Sequence, residues 1–228
     1  MRKTLTALAL GGTLALTLTA CGGSNSTGNS GSGSGSGSSS APKAEATPAA
    51  ALTNLTGKMT QVTVDPSFLA GAKSLGLTVG LVGKATLTSG VLSFPITGGD
   101  ATYYAPGSRD PYVESSIKHE GSGISLTGGG TKVELTNFTV DAGKSMLYAD
   151  VSANGKSAAK QAPVFFLDGS TLKPLDTTSE PGFGILAGTK VSLTKTAADL
   201  LNMTYKVTAL KEFFPVGVAK ITLALPAK

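Results

Sequence analysis

The stretch of this sequence richest in reactive side chains is Tyr103–Tyr112, which holds three tyrosines and an Arg-Asp pair between proline and glycine residues. Tyr103, Tyr104, Arg109 and Tyr112 are candidate ligand-binding residues, because functional aromatic side chains on exposed loops usually serve recognition. Alternatively, Tyr103 and Tyr112 end strands and cap the core, with Tyr104 partly exposed. The sequence leaves both interpretations open.

His119, the only histidine of the chain, is the second candidate. It ends a predicted strand and precedes the glycine turn Gly121-Ser-Gly123, where it can serve as a ligand or as a hydrogen-bond partner at a sheet edge. The alternative is a half-exposed strand residue without a special role. A hydrolase would need His119 to share a pocket with a serine and a carboxylate.

The sequence lacks most signatures of enzymes. It contains no G-x-S-x-G, H-E-x-x-H, P-loop or G-x-G-x-x-G motif. One histidine and one cysteine do not make a zinc site, and no EF-hand spacing is present. We therefore expect no catalytic residues, no metal site and no enzymatic activity.

The composition indicates the elements that must position these residues. Charged residues make up 14% of the chain and aromatic residues 6%, while small and β-branched residues dominate. This composition suits strands joined by glycine turns. The predicted fold class is mainly β: an antiparallel β-sandwich or barrel with two short helices.

Both helices have recognisable start signals. Asp65 before Pro66 predicts a helix over Pro66–Leu75, with Asp65 as the N-cap. Thr196-Ala-Ala-Asp199 resembles a capping box and predicts a second helix that runs through Met203.

The predicted strands are Met59–Val64, Val91–Pro95, Val113–His119, Ile124–Thr127, Lys132–Val140, Ser145–Val151, Pro163–Leu167 and Thr189–Leu193. Gly98-Gly99, Gly128-Gly129-Gly130, Asp141-Ala-Gly143, Asn154-Gly155 and Asp168-Gly169 are predicted turns. A phase slip in the apolar pattern of Lys132–Val140 predicts a β-bulge at Thr136-Asn137.

A strand, a short helix and a G-x-A-x-[LI] strand occur near both ends of this region, with Gly83–Leu87 matching Gly217–Ile221. Two related units that lie side by side would explain this sequence similarity. Convergent use of common residues explains it equally well.

The first residues of the chain resemble the signal of a bacterial lipoprotein. Arg2 and Lys3 precede an apolar run that ends at Cys21, the only cysteine. We expect residues 1–20 to be a cleaved signal peptide, 21–51 a disordered Gly/Ser/Ala/Pro-rich tether and 52–228 a single β-rich domain. Diacylglyceryl-Cys21 would hold that domain on the extracytoplasmic face of the cell membrane.

The mature charge argues against nucleic acid as a partner. Removing the signal takes two basic and no acidic residues, which lowers the formal net charge from +5 to +3. Nucleic-acid surfaces need clustered Lys and Arg instead. The partners expected beyond the membrane are a cell-wall component, a small ligand or a protein.

Four segments resemble a known family: Phe94–Gly99, Ile117–Gly121, Val133–Phe138 and Leu147–Val151. They are similar to β-rich lipid-anchored proteins of actinobacteria and to the haem-transport-associated (HtaA-type) domain, an extracytoplasmic haem-binding β-fold. In that family a tyrosine ligates the haem iron and a histidine supports the tyrosine. The resemblance therefore implies His119 as the supporting histidine and Tyr103 or Tyr104 as the ligand.

Two functions follow from the sequence. The first is a lipid-anchored, extracytoplasmic and non-enzymatic domain that binds a ligand or a cell-envelope partner without a cofactor. The second is haem capture or relay through a Tyr/His pair.

Overall fold

The computed structural model describes residues 46–225. The predicted signal peptide, the anchor at Cys21 and most of the predicted tether lie outside these residues. The described residues belong to one compact unit, which contains every buried core residue of this range. This unit has its own core and is used as the isolated domain in the experiments below.

The described residues form twelve strands and two α-helices. They are β1 (Ala50–Leu52), β2 (Gly57–Val64), α1 (Pro66–Ser74), β3 (Thr78–Gly83), β4 (Thr86–Thr88), β5 (Val91–Pro95), β6 (Gly98–Tyr103), β7 (Val113–Gly128), β8 (Thr131–Asp141), β9 (Met146–Ala153), β10 (Lys156–Asp168), β11 (Phe183–Leu193), α2 (Lys195–Tyr205) and β12 (Pro215–Ala224). A single 3₁₀ turn covers Gly169–Thr171. In the range 46–225, no helix combines the length and apolar character that crossing a bilayer requires.

All twelve strands belong to one antiparallel sheet, in the order β1-β6-β7-β8-β9-β10-β11-β12-β2-β5-β4, with β3 pairing the second half of β7. The sheet curls into a half-barrel that brings β5 against β7. Just after β5, the Thr97 amide donates a hydrogen bond to the Lys118 carbonyl on β7 (2.8 Å). The predicted mainly β fold with two short helices is confirmed.

The helix signals are confirmed for α1 and corrected for α2. The Asp65 carboxylate accepts a hydrogen bond from the Ser67 amide (2.8 Å), as an N-cap does. Helix α2 begins earlier than predicted because Thr194, and not Thr196, is its N-cap and accepts from the Ala197 amide (3.1 Å). Thr194 also donates to the Pro163 carbonyl (2.7 Å), a tertiary contact that local sequence does not reveal.

Most predicted strands are present but longer, and two turn predictions were wrong. Val113–His119 and Ile124–Thr127 are one strand, β7, because the predicted glycine turn is a register shift between His119 and Gly123. Gly98-Gly99 begins β6, where a Cβ on Gly99 would lie 1.8 Å from the Ser116 carbonyl oxygen. The turn at Asp168-Gly169 is present as the 3₁₀ turn that Asp168 caps, although it does not open a hairpin. The hairpin at Asn154-Gly155 and the bulge at Thr136-Asn137 are confirmed.

The two strand–helix–strand units lie side by side, since β12 pairs with β2. They are not equivalent, however. Strands β11 and β12 of the second unit pair with each other, whereas β3 of the first unit pairs with β7. Gly83 ends β3 but Gly217 lies inside β12, so the residues that match in sequence occupy different structural positions.

Candidate functional site

The concave side of the curled sheet encloses a cavity of about 390 Å³. Its wall is mostly apolar and is built from side chains of β2, β5, β7, β8, β9, β10, β11 and β12. This volume falls within the range of small-molecule pockets, which are usually apolar with few polar groups.

The cavity has a closed end and a mouth. Ile124 and Phe138, which lie deep along β7 and β8, are almost fully buried. At the other end the lining includes exposed residues of two loops, Asp110 and Ser170, with Tyr112 half-buried beside them. The cavity therefore opens between these two loops.

Strand β7 shows how the sequence builds the wall. Side chains alternate across a strand, so Val113, Ser115, Ile117 and His119 share one face. All four line the cavity, while Lys118 between them is exposed.

His119 lies at the closed end and is 1% exposed. Its Nδ1 lies 3.1 Å from the Pro95 carbonyl oxygen, which only accepts, so Nδ1 carries the proton and donates. Its Nε2 then accepts from the Thr60 hydroxyl at 3.1 Å. Burial lowers the pKa of His119, which favours this neutral form. The expectation of a half-exposed histidine was wrong.

These bonds give His119 a structural position. Thr60 belongs to β2 and Pro95 to β5, so the imidazole connects β7 to both strands where the curled sheet meets itself. The ring also packs edge-on against Phe94 at 6.4 Å.

The tyrosine loop is held by contacts of its own. Arg109 lies over the Tyr104 ring, 4.7 Å from its centre, and donates to the Tyr104 hydroxyl (2.9 Å). It also pairs with Glu114 (2.6 Å). Tyr104 is buried, which corrects the expectation that it is partly exposed. Tyr104 and Arg109 thus hold the loop and do not line the cavity.

Tyr112 is the tyrosine that lines the cavity, and Tyr103 supports it from behind with an edge-to-face ring contact (6.0 Å between centres). The Tyr112 hydroxyl donates to the Leu172 carbonyl across the mouth (3.3 Å). Burial, and then the nearby Tyr103, raise the pKa of Tyr112, so its hydroxyl keeps its proton at neutral pH. Tyr103 ends β6, as one interpretation expected, whereas Tyr112 lies in the bend immediately before β7.

The structure brings His119 and Tyr112 to one cavity but places them at opposite ends. In the described part of the chain, no tyrosine hydroxyl lies within hydrogen-bond distance of His119, whose partners are Thr60 and Pro95. The Tyr/His pair that the resemblance implied is therefore not formed. A haem bound in this cavity would depend on Tyr112, which would have to lose its proton to ligate iron.

A polar network on the outer side of the sheet fixes the strands near the closed end. Asp150 on β9 accepts from Asn137 (3.0 Å), Lys160 (2.9 Å) and the Gln161 amide (3.1 Å). Desolvation opposes ionisation, but these hydrogen bonds outweigh it and lower the pKa of Asp150. Asn137 and Gln161 both have positive φ, so the network joins two irregular points on β8 and β10.

Sequence reasoning missed the cavity itself. Its lining comes from eight strands, and only the inward alternation on β7 offered a local signal. Among residues 46–225, no three His, Cys, Asp or Glu side chains cluster in a way that could hold a metal ion.

Comparison with known proteins supports the fold. No protein family profile matches the chain, and no curated protein matches its sequence. Among solved structures, the C-terminal domain of HtaA from Corynebacterium glutamicum aligns with a TM-score of 0.50 at 17% identity, covering 76% of this chain and 100% of that one. The haem binding protein HtaB from the same organism aligns with a TM-score of 0.47 at 14% identity, covering 78% and 96%. The resemblance to HtaA-type domains thus holds for the fold.

Proposed function

We propose that this protein binds a small apolar molecule in the cavity of its β-domain and does so without catalysis. The observation that carries the proposal is the cavity of about 390 Å³, which is apolar along its length and opens at the Tyr112 end. Transfer of apolar surface from water into such a cavity favours binding by roughly 25 cal/mol per Å².

The bonding of the polar lining residues supports a binding function over hydrolysis. Both ring nitrogens of His119 are engaged by Thr60 and Pro95. General-base catalysis by His119 would need a free nitrogen within reach of a nucleophile. In residues 46–225, no serine hydroxyl is hydrogen-bonded to His119.

The proposal includes the location of the domain. The apolar run that ends at Cys21 supports acylation of this cysteine and an extracytoplasmic, membrane-anchored protein. Replacing Cys21 with Ser in the full chain should move the protein from the membrane fraction to the soluble fraction and abolish labelling with radioactive palmitate. Retention of both properties would contradict the anchor.

Fluorescence titration with 1-N-phenylnaphthylamine, a compact neutral probe that brightens in apolar surroundings, tests the binding site. The domain Ala44–Lys228 should bind the probe with saturation. Ser170→Trp places a large ring at the mouth and should weaken binding at least tenfold. Ser157→Trp is the matched control, because Ser157 is exposed and distant from the lining. Equal binding by both variants would refute the site.

Haem is the second candidate ligand. It is supported by the fold shared with the C-terminal domain of HtaA and by the tyrosine hydroxyl of Tyr112 at the mouth. Tyrosine is a known axial ligand of haem iron. Titration with haemin should then produce a Soret shift that Tyr112→Phe abolishes and Tyr148→Phe, outside the cavity, preserves. A shift that survives Tyr112→Phe would exclude ligation by Tyr112.

A further inference from the structure

We propose that the cavity takes one extended hydrocarbon chain, with the uncharged head group of a single-chain lipid remaining at the mouth. This inference rests on the proposed function and names the chemical class of its ligand. It follows from the length of the cavity, the bonding at its closed end and the charge at its mouth.

The lining of the cavity extends far along β7. Its lining on β7 includes Val113 near the mouth and His119 and Ile124 deeper inside. At about 3.3 Å per residue, Val113 and His119 are about 20 Å apart along the strand. An extended alkyl chain can follow this lining from the mouth to the closed end.

The closed end offers no proton to a ligand. The single proton of neutral His119 is donated to the Pro95 carbonyl, and the Thr60 hydroxyl donates its proton to His119. The remaining surfaces around this pair include the rings of Phe94 and Phe138. A carboxylate or phosphate placed here would lose its hydration without a donor to replace it. The apolar end of a ligand must therefore enter first.

The mouth disfavours an anionic head group. Two carboxylates, Asp110 and Asp168, belong to the lining, while no lysine or arginine of the described residues does. Asp168 already accepts bonds from the amide and hydroxyl of Ser170. Because the mouth is solvated, repulsion of a negative head group amounts to a few-fold loss of affinity. Hydroxyl groups such as those of glycerol can donate to these carboxylates.

Displacement of 1-N-phenylnaphthylamine by saturated monoacylglycerols, below their micelle concentrations, tests the inference on the domain Ala44–Lys228. Affinity should rise about fourfold with each added methylene group. It should level off once the chain fills the cavity. The fatty acid of equal length should bind a few-fold more weakly, and Asp110→Asn should reduce that difference.

A larger side chain at the closed end should reduce the length of the acyl chain that the cavity can accept. Ile124→Phe adds ring atoms there, so affinity should level off at a shorter chain length. Val218→Phe is the matched control, because Val218 is 44% exposed on β12 and does not line the cavity. If Ile124→Phe does not fold, the Asp110→Asn comparison still tests the inference, since Asp110 is exposed.

The outcomes separate this inference from the proposed function. Binding of the probe without any dependence on chain length would overturn the inference and leave the apolar site standing. Failure of the probe to bind would overturn both. Haemin binding with displacement of the probe, and no displacement by monoacylglycerols, would replace the inference with the second candidate.

Discussion

The closed end and the mouth of the cavity are built in different ways. At the closed end, His119 is buried and both of its nitrogens are bonded to neighbouring strands. At the mouth, Tyr112 is half-buried and its hydroxyl makes one long bond to the carbonyl of a loop residue. The difference indicates that the single histidine serves stability, whereas the Tyr112 side chain is held more loosely at the mouth.

This contrast differs from what the residue types alone suggest about function. A lone histidine and a tyrosine-rich loop look equally functional in a sequence. In the fold, His119 closes the curled sheet, and Tyr104 with Arg109 secures the loop. Only Tyr112 of these residues has its side chain at the entrance of the cavity.

Truncation of His119 should have the largest effect on stability. His119→Ala leaves the Thr60 hydroxyl and the Pro95 carbonyl without partners and opens a void, which together cost about 3 kcal/mol. Chemical denaturation of the domain should show a lower midpoint. Tyr112→Ala, at the half-buried mouth, is the control and should cost clearly less. An equal cost at both positions would remove the contrast between the two ends.

Asp150 should have the next largest effect, because its network holds β8, β9 and β10 beside the closed end. Asp150→Ala removes several hydrogen bonds to a charged acceptor and should cost about 2 kcal/mol in denaturation experiments. Asp199→Ala, which breaks an exposed Lys195–Asp199 pair on α2, should cost about 0.5 kcal/mol or less. An Asp150 variant as stable as the wild type would show that the hydrogen bonds of Asp150 do not stabilise the irregular points on β8 and β10.

Acidification should destabilise the domain through His119. Because burial lowers its pKa below 6.5 in the folded state, the unfolded chain binds a proton that the folded protein does not. The contribution of His119 to the free energy of unfolding should therefore fall as the pH drops below 6.5 and become level below the folded-state pKa of His119. The chain has one histidine, so His119→Gln should remove this slope. A slope that persists in His119→Gln would assign it to other groups.

Apart from the exposed Asp199 control, the smallest effect on stability is expected from Tyr112→Phe. The hydroxyl makes one bond of 3.3 Å at a partly solvated site, so its loss should cost about 0.5 kcal/mol in thermal unfolding. Binding should respond more than folding, because the hydroxyl lies at the cavity mouth. A large loss of stability would place Tyr112 with the structural residues.

The fold was largely predictable because its signals are local. Alternating apolar residues, the Asp65-Pro66 helix start and the Asn154-Gly155 turn act over a few residues each. The errors occurred where distant contacts decided the local structure. Thr194 caps α2 while donating to Pro163 on another strand, and the turn predicted after His119 is a bulge because β3 and β8 hold both sides of β7.

The candidate site was less predictable for the same reason. Tyr112 was one of the named candidates and lines the cavity, but its neighbours there come from strands distant in sequence. The Tyr/His pair required a spatial approach that residue order cannot specify. His119 instead meets Thr60, 59 positions earlier in the chain, because β2 and β7 approach where the sheet curls.

Methyl NMR of the isotopically labelled domain during titration with 1-N-phenylnaphthylamine tests the central claim most directly. The signals of Ile117, Ile124 and Leu147, which line the cavity, should shift with the probe, and that of the outward-facing Val218 should not. Shifts at Val218 and other exposed methyl groups, with unchanged signals from the lining residues, would contradict a binding function for the cavity.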